Sequence, residues 1–542
     1  MNTLISIKLP KAILIGLVVA IYASPAHALP DLPADVPVKE LPNTVYKASA
    51  EIEQWKISND SNQMKAHAWR LFAALMEPKY NNNGATIRTY DTWYTLDEAV
   101  PEIGAKIIQF DVNGMVSPRK KVKLTRTNVD NLGGLSTPNQ RAPHFLGATR
   151  RVTAAECAAL PTPLPENDNR TLSETLVSDV KYSTAINKWI INNLMNKNGQ
   201  TVTSYNLKDK LVAGSPAALP FDDTKGVMVK PSYTIVKGAG PTIIGRWRED
   251  IAVVNATAET VKSPVNANNQ VAGERTWVKE AVVFPPGMAM SKTFYGRDGT
   301  ILPKVNVTDF HYFKITAAIA CALKSGINSE LMSPNIQNIA EGDYAVLTSM
   351  HISTREVDDW TWQTFWWEPK PHTQADEKGL PSELKSKFTT AGWKPLSYFK
   401  LGVGYDYQTP DGKNIISSNP YLEGAFGLPK ELEAVYGKNG AYDASGNETG
   451  VNVFIRDVDD KPILPYTHEG NGLKTNCITC HKAAAYHDVK AIPVKPLGNL
   501  PATSKGKYPD YGKLNGTEDL FKNKLQTHFM WGVANKVMDR EQ

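Results

Sequence analysis

The run Tyr344-Ala345-Val346-Leu347-Thr348-Ser349-Met350-His351-Ile352-Ser353-Thr354 lies between turn-forming residues and reads as a β-strand. Working outward, similar runs recur at Lys106 to Val112, Val227 to Val236, Thr242 to Val254, Thr276 to Phe284 and Phe310 to Ile315, separated by Gly, Pro, Asn and Asp. That spacing predicts an antiparallel, sandwich-like core rather than a regular βαβ alternation. Two helices interrupt it. Met64 to Met76 gathers Trp69, Leu71, Phe72 and Leu75 ahead of Pro78, and Ser183 to Lys197 repeats Ile186, Trp189, Ile190 and Leu194 at three- and four-residue steps. The expected class is mixed α+β, rich in β. No repeat of propeller or solenoid period is present, which weighs against a propeller.

The chain has 542 residues and a formal net charge of +5. Lys8 and Lys11 precede an apolar run from Ala12 to Ala23, followed by Pro25 and the small-residue triplet Ala26-His27-Ala28. This pattern predicts a signal peptide over residues 1–28, cleaved after Ala28, and a periplasmic or otherwise exported product. About a dozen apolar residues fall short of the roughly twenty that span a bilayer, so no membrane span is expected after cleavage. So mild a positive charge does not predict nucleic-acid binding. A Pro-rich stretch, Leu29 to Pro42, opens a large β-rich region over residues 29–470, with room for two subdomains divided near 200–225.

Residues 471–542 carry the chemistry. Cys477-Ile478-Thr479-Cys480-His481 places two cysteines three apart with a histidine directly after them. Two thiols at this spacing, at the start of a helix, match the two former vinyl groups on one edge of a c-type haem. The adjoining His481 then turns under the ring as proximal iron ligand. One covalent haem c is expected, in a small helical segment packed on the large domain. Thr475 or Asn476 is placed to cap that helix, and Lys482-Ala483-Ala484-Ala485 to extend it. A zinc site would need a second ligand pair, and no other CxxC or close Cys/His pair exists. Cys157 and Cys321 remain, either as a disulfide or as two buried thiols.

The sixth ligand is less determined. Met530 is the first choice, on a terminal amphipathic stretch opened by Thr517-Glu518-Asp519. The competing reading of Met530 is core packing beside Phe529 and Trp531. His351 is the second choice, and His311, His468 and His528 stay in the set. His487 sits on the motif's own helix in this reading, where it does not reach the opposite haem face.

The segment from His351 continues to Trp360-Thr361-Trp362-Gln363-Thr364-Phe365-Trp366-Trp367. As a strand it puts Trp360, Trp362 and Trp366 on one face, and Phe365 and Trp367 on the other. Such a strand serves as an aromatic wall for the haem or as central core. This segment, with Ser418-Asn419-Pro420-Tyr421-Leu422-Glu423-Gly424, the Cys477 to His481 motif and Gln526-Thr527-His528-Phe529-Met530-Trp531, resembles a group of large exported monohaem c-type cytochrome proteins. The resemblance covers roughly the C-terminal half, with a fainter echo at Ala68-Trp69-Arg70-Leu71-Phe72. It implies haem attachment, electron transfer and a periplasmic location, and supplies neither a substrate nor a distal ligand.

Electron transfer with redox partner proteins is therefore the expected function. The alternatives are a haem enzyme reducing a small substrate such as peroxide or an oxidised nitrogen compound, and a haem-based sensor of redox state or of a small-molecule ligand. No Ser/His/Asp arrangement, HExxH or Walker motif offers separate chemistry. Gly238-Ala239-Gly240 with Gly245 is a poor dinucleotide match, and Asp457, Asp459 and Asp460 read as a solvated acidic turn rather than a cation site.

Overall fold

The computed structural model describes residues 38–82, 85–95, 108–110, 116–118, 176–178, 180–194, 217–218, 221, 223–246, 279–295, 301–317, 319–320, 339–371, 379–390 and 392–406. Towards the C-terminus it describes 410, 415, 417, 419, 455–456, 462–463, 477–482, 484–487, 524–526, 528 and 530. The expected signal peptide, Cys157, Cys321, His468 and the acidic turn at 457–460 lie outside the described residues.

The elements that matter to the site follow in chain order. Helices α1 (Ser49–Ser58) and α2 (Ser61–Leu75) precede short strands β1 (Tyr94–Thr95), β2 (Leu176–Ser178) and β3 (Lys181–Tyr182). Helix α3 (Thr184–Leu194) leads to β4 (Ala217–Ala218) and to the long β5 (Val227–Val236). Then come β6 (Thr242–Arg246), β7 (Lys279–Phe284), β8 (Lys304–Asn306), β9 (Tyr312–Lys314), β10 (Tyr344–Thr354) and β11 (Thr361–Trp367). Helix α4 (Ser382–Lys387), β12 (Phe399–Gly404), helix α5 (Cys477–Lys482), β13 (Ala485–His487) and β14 (Lys524–Gln526) complete the set. The long strand runs predicted at 227–236 and 344–354 are found with those bounds. Within the predicted runs at 106–112, 276–284 and 310–315 the described residues form strands at Ile108–Phe110, Lys279–Phe284 and Tyr312–Lys314.

An eight-stranded sheet organises the molecule, in the order β12-β11-β10-β5-β3-β1, with β9 also on β10 and β2 also on β5. Every pairing in it is antiparallel. The chain is thus β-rich mixed α+β. Both helix α2 and a second, smaller sheet pack against this sheet in one core. Helix α2 starts on Asp60, whose carboxylate accepts the Gln63 amide at 3.1 Å, an N-cap that satisfies one of the orphan donors of the first turn. It buries Trp69 and Phe72 against the sheet. Phe72 stacks on Phe365 at 4.1 Å and 10°, and Trp69 meets Phe365 edge-on at 5.2 Å. Such pairs add about 0.5–1.5 kcal/mol beyond the burial of their area. A three-stranded sheet, β6-β7-β8, brings Ile244, Ala281, Val283 and Val305 into the same core.

A β-bulge at Thr348 sets which residues of β10 face that core. The register passes from Leu347 opposite Tyr233 to Ser349 opposite Ser232. The extra residue switches the parity: Ala345 and Leu347 point to the core before it, Met350 and Ile352 after it. The opposite face of β10 and β5 therefore carries Ser232, Thr234, Thr348, Ser349, His351 and Ser353, and all six are buried. A buried face this rich in hydroxyls is the side on which the Cys477 to His481 motif docks.

Two buried polar networks brace the layers. His67 of α2 bonds the Tyr405 hydroxyl at 2.6 Å and the Val45 carbonyl at 3.1 Å, with Glu356 at 3.2 Å from its Nε2. Near the other end, Arg88 donates to His311 Nδ1 at 3.1 Å, to the Gly392 carbonyl at 2.8 Å and to the Met76 carbonyl. The second His311 nitrogen lies 3.5 Å from Asp91. Burial holds His311 below its ordinary pKa, against the pull of Asp91. Burial alone would raise Asp91, but His311, Lys181 and the Arg88 amide together keep its carboxyl below the usual range. The Gly238 to Gly240 stretch is a tight turn between β5 and β6: a Cβ on Gly238 would sit 2.1 Å from the Gly342 carbonyl oxygen. Close backbone approach accounts for that glycine without any nucleotide. Among the described residues no helix is long and apolar enough to cross a membrane.

Candidate functional site

The motif occupies helix α5, so Cys477, Cys480 and His481 stand at positions i, i+3 and i+4, which share one helix face. The helix is short, and its first amide is satisfied from a distance. Cys477 N–H donates to Ser417 Oγ at 3.0 Å, and the Cys477 thiol lies 3.2 Å from the Ser417 carbonyl oxygen. Ser417 thus satisfies the first amide of α5, while Thr475 and Asn476, the expected caps, lie outside the described residues. Ser417 reaches this position because Gly404, at the end of β12, has no side chain: a Cβ there would stand 2.8 Å from the Ser417 Cβ and 3.8 Å from Ile478 Cδ1.

Asn419 fastens the same segment to the strand beneath. Its side-chain amide donates to Thr364 Oγ1 at 2.7 Å and to the Phe365 carbonyl at 2.9 Å, and it is fully buried. Asn419, in the stretch singled out in the sequence, thus ties the chain beside Ser417 to β11.

Trp362 is the floor of the site. Its indole ring lies 4.4 Å from the His481 ring, centroid to centroid, tilted by 47°. Its Nε1–H donates to His351 Nδ1 at 3.0 Å, and the His351 ring is 5.0 Å away. Register explains the meeting: Trp362 opposes Gly404 and Ser353, while His351 opposes Thr364 and Lys230, on adjacent rows of one face. Trp362 and Trp366 share this face, with Phe365 and Trp367 on the core side, as the alternation predicts. Trp360 departs from it. It precedes the strand with φ of +56°, fully buried, a conformation that costs a bulky residue about 1–3 kcal/mol. Its ring lies 6.0 Å from Phe221, in a second aromatic group with Trp189 and His528.

The described residues at 484–487 and 524–530 are not helical, where the sequence predicts a helical segment. Helix α5 ends at Lys482, and Ala485 opens a strand rather than extending the helix. His487 accordingly lies in β13, not on the motif helix. Strand β13 pairs antiparallel with β14, and β14 runs parallel to β4. Across 524–530 the described residues form this strand and a turn at His528, whose φ of +48° is incompatible with a continuing helix. Met530 is buried, but not on a terminal helix. Pairing with two strands from elsewhere in the chain overrides the local helical pattern.

No known protein family, curated protein or solved structure matches this chain. The case for the site therefore rests on its own residues. Among the described residues no cluster of three His, Cys, Asp or Glu side chains forms a metal site. A covalently held haem asks for less: two thiols and one imidazole on a helix face, with an apolar ring beside them. Cys477 and His481, with Cys480 at position i+3 of the same helix, and the buried Trp362 wall fit that demand. His311 is occupied by Arg88 and Asp91, and His528 is packed edge-on between Trp189 and Phe221, at 5.8 and 5.7 Å.

Proposed function

We propose that this chain is an exported c-type cytochrome that transfers electrons through one covalent haem, attached at Cys477 and Cys480 and ligated by His481. The observation that carries the proposal is the docking of the Cys477 to His481 helix on a buried aromatic wall, with the His481 ring against Trp362. Cys477, Cys480 and His481 would hold the haem, which when bound would supply a ferrous–ferric couple for single-electron exchange with redox partner proteins.

The chain's own residues do the rest. Ser417 holds the first turn of α5 and so keeps Cys477 where a thioether must form. Trp362 sets the plane of His481, and Trp362 with Trp366 presents apolar surface that restricts water, which tunes an iron's potential. The proposed cofactor and periplasmic setting agree with the signal-peptide pattern and with the resemblance to large monohaem cytochromes.

Replacing Cys477 and Cys480 together by Ala is expected to abolish covalent haem. Denaturing gels stained for haem peroxidase activity read the result directly. A stained band of unchanged intensity in the double variant would sink the assignment. Spectroelectrochemistry of the parent then checks the electron-transfer part, which requires a reversible one-electron wave. Carbon monoxide binding to the ferrous protein tells a coordinated, electron-carrying iron from an open, substrate-binding one.

A further inference from the structure

We infer that Trp362 and His351 form a positioning pair that orients His481, and that His351 serves as a hydrogen-bond acceptor rather than as an iron ligand. The inference deepens the haem reading above and rests on it. An indole N–H only donates. At 3.0 Å from Trp362 Nε1, His351 Nδ1 must present a lone pair, so the ring's proton sits on Nε2. Both in-plane positions of the imidazole are then committed: Nδ1 accepts from Trp362 and Nε2 carries hydrogen.

Metal-bound histidines show the reverse pattern, donating their outer N–H to a carbonyl or carboxylate. His351 is turned the wrong way round for iron. What it does instead is fix the indole. Trp362 is buried on a strand paired on both sides, and the bond to His351 selects its ring orientation. The same ring lies 4.4 Å from His481. His351 therefore acts on His481 through Trp362, and of the first and second choices for distal ligand Met530 is the one this leaves standing.

The test uses the full-length, haem-loaded protein with histidines labelled with nitrogen-15. His351→Gln keeps an acceptor for the indole, His351→Leu removes it, and Trp362→Phe removes the donor while keeping an aromatic ring. The glutamine variant is expected to keep the parent's low-spin ferric spectrum and reduction potential. The leucine and phenylalanine variants are expected to shift the potential in the same direction, and the double variant combining His351→Leu with Trp362→Phe no further than either alone. The His351 ring nitrogens of the parent should report a protonated Nε2.

High-spin ferric iron in His351→Gln would make His351 the ligand and overturn the inference. Additive shifts in the double variant would overturn the pairing. If Trp362→Phe does not fold, the two His351 variants still decide the matter. Parent protein without covalent haem would refute the cytochrome reading instead, while a protonated Nδ1 in that protein would refute the Trp362–His351 pair by itself.

Discussion

The two faces of β11 are built from alternate residues of one strand, yet they are held together by different physics. On the core face Phe365 stacks on Phe72, and Trp367 stacks on Phe310 at 4.4 Å, beneath a helix that contributes mostly apolar surface. On the motif face Trp362 bonds His351, Thr364 accepts from Asn419, and the neighbouring positions of β10 are serines. Both faces are buried. Around Phe365 and Trp367 the first face holds by non-directional burial that any well-shaped apolar residue supports, while Gln363 donates to Thr361 at its other end. The second holds by hydrogen bonds whose direction matters, which is what a site needs in order to fix one imidazole in one orientation.

The sharpest way to break the comparison is to separate the motif from its wall. Residues 471–542 exported alone should yield no stable holo-protein, because the Ser417 cap, the Trp362 wall and the β4 partner strand all lie outside them. A haem-loaded fragment with the parent's absorption spectrum would show that the wall is dispensable. Next in size is the core face. Phe365→Ala should cost about 3–5 kcal/mol in denaturant unfolding, as expected for a deleted buried aromatic, and a loss under about 1 kcal/mol would mean the core collapses into the gap.

A moderate effect is expected from pH, and it belongs to the bracing network rather than to either face. His311 and Asp91 both hold fewer protons folded than unfolded, since their folded pKa values are lowered. The His311 contribution is complete above its unfolded value of about 6.5 and is lost as pH falls below it. The Asp91 contribution follows below about pH 4. Melting temperature should thus decline from about pH 7 to about pH 5, and His311→Gln should flatten that decline while lowering stability throughout. An equally steep decline in the variant would place the titration elsewhere.

The smallest effect tests the motif face itself. Ser349 and Ser232 oppose each other there, fully buried, and their hydroxyls have no hydrogen-bond partner among the described residues. Removing an unpaired buried hydroxyl leaves nothing unsatisfied, so Ser349→Ala should change stability by less than about 1 kcal/mol, with the sign towards stabilisation. A loss of several kcal/mol in a urea titration would reveal a partner for that hydroxyl.

Local pattern was enough to locate the long strands at Val227–Val236 and Tyr344–Thr354, the body of α2, and the alternation that separates Trp362 from Phe365. The motif of Cys477, Cys480 and His481 is likewise a local feature, because the spacing of two thiols and an imidazole is a property of a few consecutive residues. Tertiary structure decided what such spacing cannot express. Ser417 caps a helix sixty residues further on, a contact that Gly404 permits by having no side chain. Strands β4 and β13 draw 524–526 out of a helical pattern by offering backbone partners from distant parts of the chain. His351 looked like a candidate ligand in sequence, where only its residue type is visible. Its hydrogen bond to Trp362 depends on the register of β10 against β11, and that register is invisible in the sequence.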